Sequence, residues 1–231
     1  LDRTQLNGYE ALLDTTLFQE ETLEMIVPDA CPDILRVVET DGKVLLRSKE
    51  AMDGRVELTG TIRACVLYLP DGECGMRHLD VSIPFRVCAE GKDIGPGCSV
   101  TACARLRRAD TRAVNPRKVL VRAEVAVDVT VFAPMTESIC SQVPDAAERS
   151  VEQLTETQEV YLTACVQEKP FSLSEEMALS ASKPAAAELL KSRIALCRGE
   201  SKIIGNKLIF KGSADVSLLY RGEDDGVYAA G

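Results

Sequence analysis

From Arg55 to Tyr68, apolar or small residues occupy every second position: Val56, Leu58, Gly60, Ile62, Ala64, Val66 and Tyr68. Arg55, Glu57, Thr59, Thr61 and Arg63 stand between them. A period of two sends the two sets to opposite sides of an extended chain, so the segment predicts a half-buried strand. Val44 to Lys49 stands before it across Asp53-Gly54, a pair that supplies positive φ at low steric cost and therefore predicts a hairpin. Leu79, Val81, Ile83, Phe85 and Val87 alternate with His78, Asp80, Ser82 and Arg86 in a third strand, where Pro84 on the polar side marks an edge or a bulge. Val100, Ala102, Ala104 and Leu106 predict a fourth strand. Val119, Val121, Ala123, Val125, Val127, Val129 and Val131 predict a fifth, with the Asn115-Pro116 turn between the two. Successive strands joined by short turns leave an apolar face that needs a second layer. The expected fold is mainly β, a β-sandwich or partly open barrel.

Two stretches predict short helices. Cys31 to Val38 has Pro32 at a first helical position and Asp33 in the first turn, and Ala185 to Arg193 follows Pro184 with good helix formers. Shifted by 152 residues, the chain overlays itself: Gly60 falls on Gly212, Leu67 on Leu219 and Tyr68 on Tyr220. Leu208, Phe210, Gly212, Ala214, Val216, Leu218 and Tyr220 repeat the apolar face, and Gly205-Asn206 stands where Asp53-Gly54 does. With small register changes the match extends upstream, pairing Leu23 and Met25 with Met177 and Leu179, and the Pro32 helix start with the Ala185 helix. The reading is a repeated module with one short helix per repeat. A first domain covers residues 1–145 and a second, incomplete one covers 146–231, with the boundary near Pro144 to Ser150. The second copy has no counterpart of the later strands, and the chain opens at Leu1 without an initiator Met, so a piece of a longer reading frame is expected.

The chain has 231 residues and a net charge of −9, which argues against general nucleic-acid binding. Aromatic residues make up only 4%, with no Trp, so stacking platforms for sugars or bases are scarce. No apolar run approaches the ~18 residues needed to cross a bilayer as a helix, and no membrane insertion is expected. The nine cysteines contain no CxxC pair and predict neither a zinc site nor a disulfide framework. Cys65, Cys88, Cys103 and Cys165 lie in alternating segments and are expected to be small core residues. His78, the single histidine, is expected to face solvent. With one His, no nucleophile–base pair has an alternative base, so no catalytic residue, metal ligand or cofactor site is assigned.

Asp29 and Asp33 flank Cys31 in a proline-bracketed stretch and could in principle hold a cation. The second copy has Lys183-Pro184-Ala185-Ala186 there, so the reading is structural, with Asp33 at the positive end of the expected helix. Arg105, Arg107, Arg108, Arg112, Arg117, Lys118 and Arg122 lie within eighteen residues holding one acid, Asp110. That segment carries +6 and the remainder −15. An exposed basic hairpin tip is expected, and it has three readings: a solvated edge, a docking surface for an acidic partner or for the acidic remainder of another copy, and a nucleic-acid contact.

Val27-Pro28-Asp29-Ala30-Cys31-Pro32-Asp33-Ile34-Leu35-Arg36-Val37, the strand ending Val66-Leu67-Tyr68, Ile83-Pro84-Phe85 and Asn115-Pro116-Arg117-Lys118-Val119 occur in this order. Together they resemble the SPOCS domain of SipL-type spore coat and morphogenesis proteins of clostridia, as one complete and one partial copy. The resemblance implies a non-enzymatic structural or interaction module in spore coat assembly, in the mother-cell cytoplasm at the forming spore surface. It also implies a protein partner, in particular the morphogenetic ATPase of the coat's basement layer. The LysM module that often ends such proteins is not visible in this sequence, so LysM-mediated contacts are not carried over. Two other readings stand beside this one: an envelope or surface-binding sandwich, and an accessory part of an enzyme whose catalytic region lies elsewhere.

Overall fold

The computed structural model describes residues 2–142, 152, 154, 156–180 and 182–231. Nine strands are described: β1 (Asp2–Ile26), β2 (Ile34–Met52), β3 (Arg55–Pro70), β4 (Arg77–Glu90), β5 (Ser99–Asn115), β6 (Lys118–Gln142), β7 (Ala186–Ile204), β8 (Lys207–Gly222) and β9 (Val227–Ala230). They form three antiparallel three-stranded sheets, β1-β6-β5, β2-β3-β4 and β7-β8-β9, none closed into a barrel. The expected boundary from Pro144 to Ser150 lies outside the described residues.

The first two sheets pack face to face, and the alternation read from the sequence supplies the interface. Val56, Leu58, Ile62 and Val66 of β3, Leu79, Val81, Ile83 and Phe85 of β4, and every second residue from Val119 to Val131 of β6 form one buried cluster. Small β-branched residues suit this geometry because they pack on a pleated surface without losing rotamers. Val100, Ala102, Ala104 and Leu106 of β5 pack against the same cluster from its margin. Pro84 is exposed on β4, which is an edge strand of its sheet, so no ladder needs the missing N–H. The Asp53-Gly54 hairpin forms with Gly54 at φ +76°.

Neither expected helix forms. The segment after Pro32 enters β2, and the segment after Pro184 enters β7. Ile34 pairs with Pro70 and Ala186 with Gly222, so each stretch is claimed by the strand that follows it across its own turn. Cross-strand pairing overrides the weak helical preference of Ala-Ala-Glu-Leu-Leu. The cysteines also depart from expectation. Cys65 is half-buried, and Cys88, Cys103 and Cys165 are exposed. In β3, β4 and β5 the reason is parity, since each of these cysteines sits on the register opposite the core set.

The β7–β8 hairpin reproduces the β2–β3 hairpin at the 152-residue offset. Register shifts between Ile34/Arg36 and Val37/Glu39 recur between Ala186/Glu188 and Leu189/Lys191. Met52↔Arg55 closes one turn and Ile204↔Lys207 the other. Bulges re-aim whole runs of side chains, so their recurrence is a stronger sign of equivalence than matching residues. Residues 156–180 contain no described strand, although Tyr9 N–H donates to the Thr163 carbonyl at 2.8 Å.

Candidate functional site

The seven basic residues expected at one tip are spread along β5, the turn after it and β6, and carboxylates meet five of them. The long β1–β6 ribbon brings acids of β1 beside bases of β6: Arg122 pairs with Glu20 at 2.5 Å and Lys118 with Glu24. Within the β5–β6 hairpin Arg105 pairs with Asp128, and Arg107 pairs with Glu124 at 3.1 Å. Arg107 also lies 4.9 Å from the centre of the half-exposed Phe18 ring, a cation–π contact. Hydrogen bonds from Thr16 and Arg105 hold the Asp128 carboxyl below the usual carboxylate range. The hydrogen bond and charge of Glu20 raise Arg122 further. The outer face of this sheet is therefore a lattice of alternating charge. Arg108 and Arg112 are exposed, and no ion pair is found for either among the described residues. Arg108 lines a shallow groove with Glu20, Asp110, Arg122 and Glu124.

The fifth paired base, Arg117, points inward to a different task. Its guanidinium donates to the carbonyls of Cys31 at 2.6 Å, Val27 at 2.8 Å and Pro28 at 3.0 Å. It also reaches Asp33 at 3.2 Å and Asp29 at 3.3 Å. Val27 N–H donates to the Arg117 carbonyl and Ile34 N–H to the Pro116 carbonyl, while Asn115 Oδ1 accepts from Arg117 N–H. Asp29 and Asp33 thus close around an arginine, not a helix terminus. Five donors in a fixed fork suit this crowded loop, where a point charge could not meet three carbonyls at once. Two motifs ninety residues apart form one junction tying the first sheet to the loop that opens the second.

Residues 33–114 match the family model described as SipL, SPOCS domain. Over this span the chain is similar to a SPOCS domain. No curated protein and no solved structure matches the chain. The matched span runs from Asp33 at the end of the loop through β2, β3 and β4 to Val114 near the end of β5. β1 and β6 lie outside it, yet β6 supplies Val119, Val121, Ala123, Val125, Val127, Val129 and Val131 to the buried cluster that completes the sandwich. The interior of that sandwich is filled by side chains, so its chemistry is confined to outer faces and edges.

One outer face of the SPOCS domain carries a contact that sequence reasoning missed. Lys191 of β7 lies 2.9 Å from Glu39 and 2.7 Å from Asp41 of β2. Burial acts to raise the Asp41 carboxyl, but the Lys191 hydrogen bond, the Gly42 N–H and the nearby cations outweigh it and hold it low. Cys65 Sγ donates to the Leu190 carbonyl at 3.3 Å, and Leu67 and Leu190 are both buried here, outside the main core. His78, expected in solvent, is three-quarters buried in this groove with Nδ1 3.2 Å from Glu188. The available signal was Leu67, an apolar residue on the polar register of β3. Among the described residues, no group of three or more His, Cys, Asp or Glu is placed to hold a metal ion, and no helix is long and apolar enough to cross a membrane.

Proposed function

We propose that this chain is a non-enzymatic interaction module of spore coat assembly, binding other morphogenetic proteins in the mother cell at the forming spore surface. The carrying observation is the SPOCS match over residues 33–114 on a sandwich whose interior is packed with valine. A domain built this way offers faces and edges, which suit protein recognition. In this reading β7–β9 belong to a second SPOCS copy, supported by the shared bulges and the common 152-residue offset. The partner is the morphogenetic ATPase of the coat's basement layer, and self-association through the same surface is the second possibility.

The docking role of the basic segment narrows to Arg108 and Arg112, because Arg105, Arg107, Lys118 and Arg122 already have carboxylate partners and Arg117 is committed to its loop. The test is binding of the purified ATPase to the chain across a salt series, with Arg108→Glu/Arg112→Glu as the variant. The expected result is saturable binding that weakens with salt and falls about tenfold or more in the variant, since close interfacial charges couple strongly. Binding indifferent to both would remove this surface. No binding, together with a fluorescent fusion that stays diffuse in sporulating cells, would contradict the reading as a whole.

A further inference from the structure

The β2–β3 and β7–β8 hairpins share a framework but carry opposite charge along their first strands. Glu39 follows the second bulge of β2 and pairs with Leu67, and Lys191, 152 residues further on, follows the second bulge of β7 and pairs with Leu219. Asp41↔Cys65 and Arg193↔Ser217 are equivalent in the same way, as are Arg36↔Leu69 and Glu188↔Arg221. At these three positions the sign is reversed: base, acid, acid in β2 and acid, base, base in β7.

The reversed positions are the ones that meet. Lys191, four-fifths buried, lies between Asp41 and Glu39, its own equivalent. Arg193 lines the same groove as Asp41, and its charge helps to hold that carboxyl low. Glu188 faces Nδ1 of His78. The apolar part of the contact does not distinguish the two halves, since buried Leu190 stands at the position of Val38 and buried Leu67 at that of Leu219. Burial alone would let either face take a copy of itself, whereas charge does not. Two first halves joined here would set Glu39 and Asp41 against Glu39 and Asp41, and two second halves would bring four cations together.

We infer that Glu39 and Asp41 on one side and Lys191 and Arg193 on the other are the specificity residues of a repeat-to-repeat interface. They seat the second module on the outer face of the first within one chain, and they bar either face from pairing with its own copy in another chain. The partner this surface fits is a module of the same kind with bases at the positions of Glu39 and Asp41, because juxtaposed like charges suppress the wrong pairing. The inference rests on the reading of β7–β9 as a second SPOCS copy. It is independent of the spore-coat role and of Arg108 and Arg112.

Cys65, whose thiol donates to the Leu190 carbonyl, reports the contact in the whole 231-residue chain. Its rate of iodoacetamide labelling at pH 8 is read by peptide mass spectrometry relative to the exposed Cys103 of the same chain. Lys191→Glu/Arg193→Asp should speed labelling about tenfold or more with the circular dichroism unchanged, even though added negative charge beside a thiol slows it when nothing opens. Glu39→Lys/Asp41→Arg should speed it as well. All four changes together exchange the charges across the contact and should return the rate to within about twofold of the unaltered chain. The Lys191→Glu/Arg193→Asp chain, acidic on both freed faces, should sediment as a monomer. No acceleration by Lys191→Glu/Arg193→Asp, no recovery on the fourfold exchange, or dimerisation of the Lys191→Glu/Arg193→Asp chain would overturn the inference. The labelling arms test the contact and the sedimentation arm tests the equivalence of the two faces, so the two failures are told apart.

Discussion

Tyr68 and Tyr220 make the same hydrogen bond in the two halves of the chain. Tyr68 donates to the Pro32 carbonyl at 3.4 Å and Tyr220 to the Pro184 carbonyl at 3.1 Å, each reaching back 36 residues. Both side chains are buried. Each hydroxyl ties the end of a central strand to the proline that precedes its hairpin partner, so β2 and β7 start at equivalent places despite sharing little sequence there.

Removing that hydroxyl should cost stability in proportion to one hydrogen bond. Tyr68→Phe is expected to destabilise by about 1 kcal/mol in urea unfolding. Burial, with Cys31 beside it, pushes the Tyr68 phenol up to about 12. The folded value lies above the unfolded one near 10, so the contribution is complete below pH ~10 and lost as pH rises toward 12. Ultraviolet titration of the phenolates should show a late-titrating tyrosine that Tyr68→Phe removes. A titration curve unchanged by the substitution would contradict the assignment.

Arg117 should behave as a structural residue. Arg117→Ala leaves three loop carbonyls without their donor, and a loss of about 1–3 kcal/mol is expected. Arg117→Lys should recover only part of it, because an ammonium cannot span the same carbonyls. Full recovery with lysine would mean that charge alone matters, through Asp29 and Asp33.

Thiol reactivity should separate Cys65 from the rest. Burial, with the charges of Asp80, Asp41 and Glu39, pushes its thiol up to about 11 against a weaker opposing effect of Lys191. Iodoacetamide at pH 8 followed by peptide mass spectrometry should label the exposed Cys74, Cys88 and Cys103 well before Cys65. Lys191→Ala, which loosens the contact over Cys65, should speed its labelling. Early labelling of Cys65 in the unaltered chain would show that β7 does not rest on the SPOCS domain in solution.

Most strands were legible because one face of each is buried and the alternation is unbroken; Val119 to Val131 is the extreme case, with every second residue inside. β1 was not legible. Its register shifts between Ala11 and Leu13, and Gln19 and Glu21 interrupt its apolar parity, so no single alternation runs through it. The helices were misread because local propensity in Ala185 to Arg193 says nothing of the strand waiting across the turn. The basic segment was visible as charge, but its neutralisation was not, since Glu20 and Glu24 stand about a hundred residues from Arg122 and Lys118. Arg117 appeared as one more base in that run because its carbonyl partners carry no side-chain signal.

The central claim is that alternating apolar residues of β3, β4 and β6 build one packed sandwich, while β8 of this chain is exposed from Lys207 to Asp215. Amide hydrogen exchange by mass spectrometry reads this directly, since β3 and β8 share a register but differ in what covers them. Amides of residues 55–68 and 118–131 should exchange slowest, and those of residues 207–217 much faster. Equal protection of β3 and β8 in the chain alone would contradict the claim.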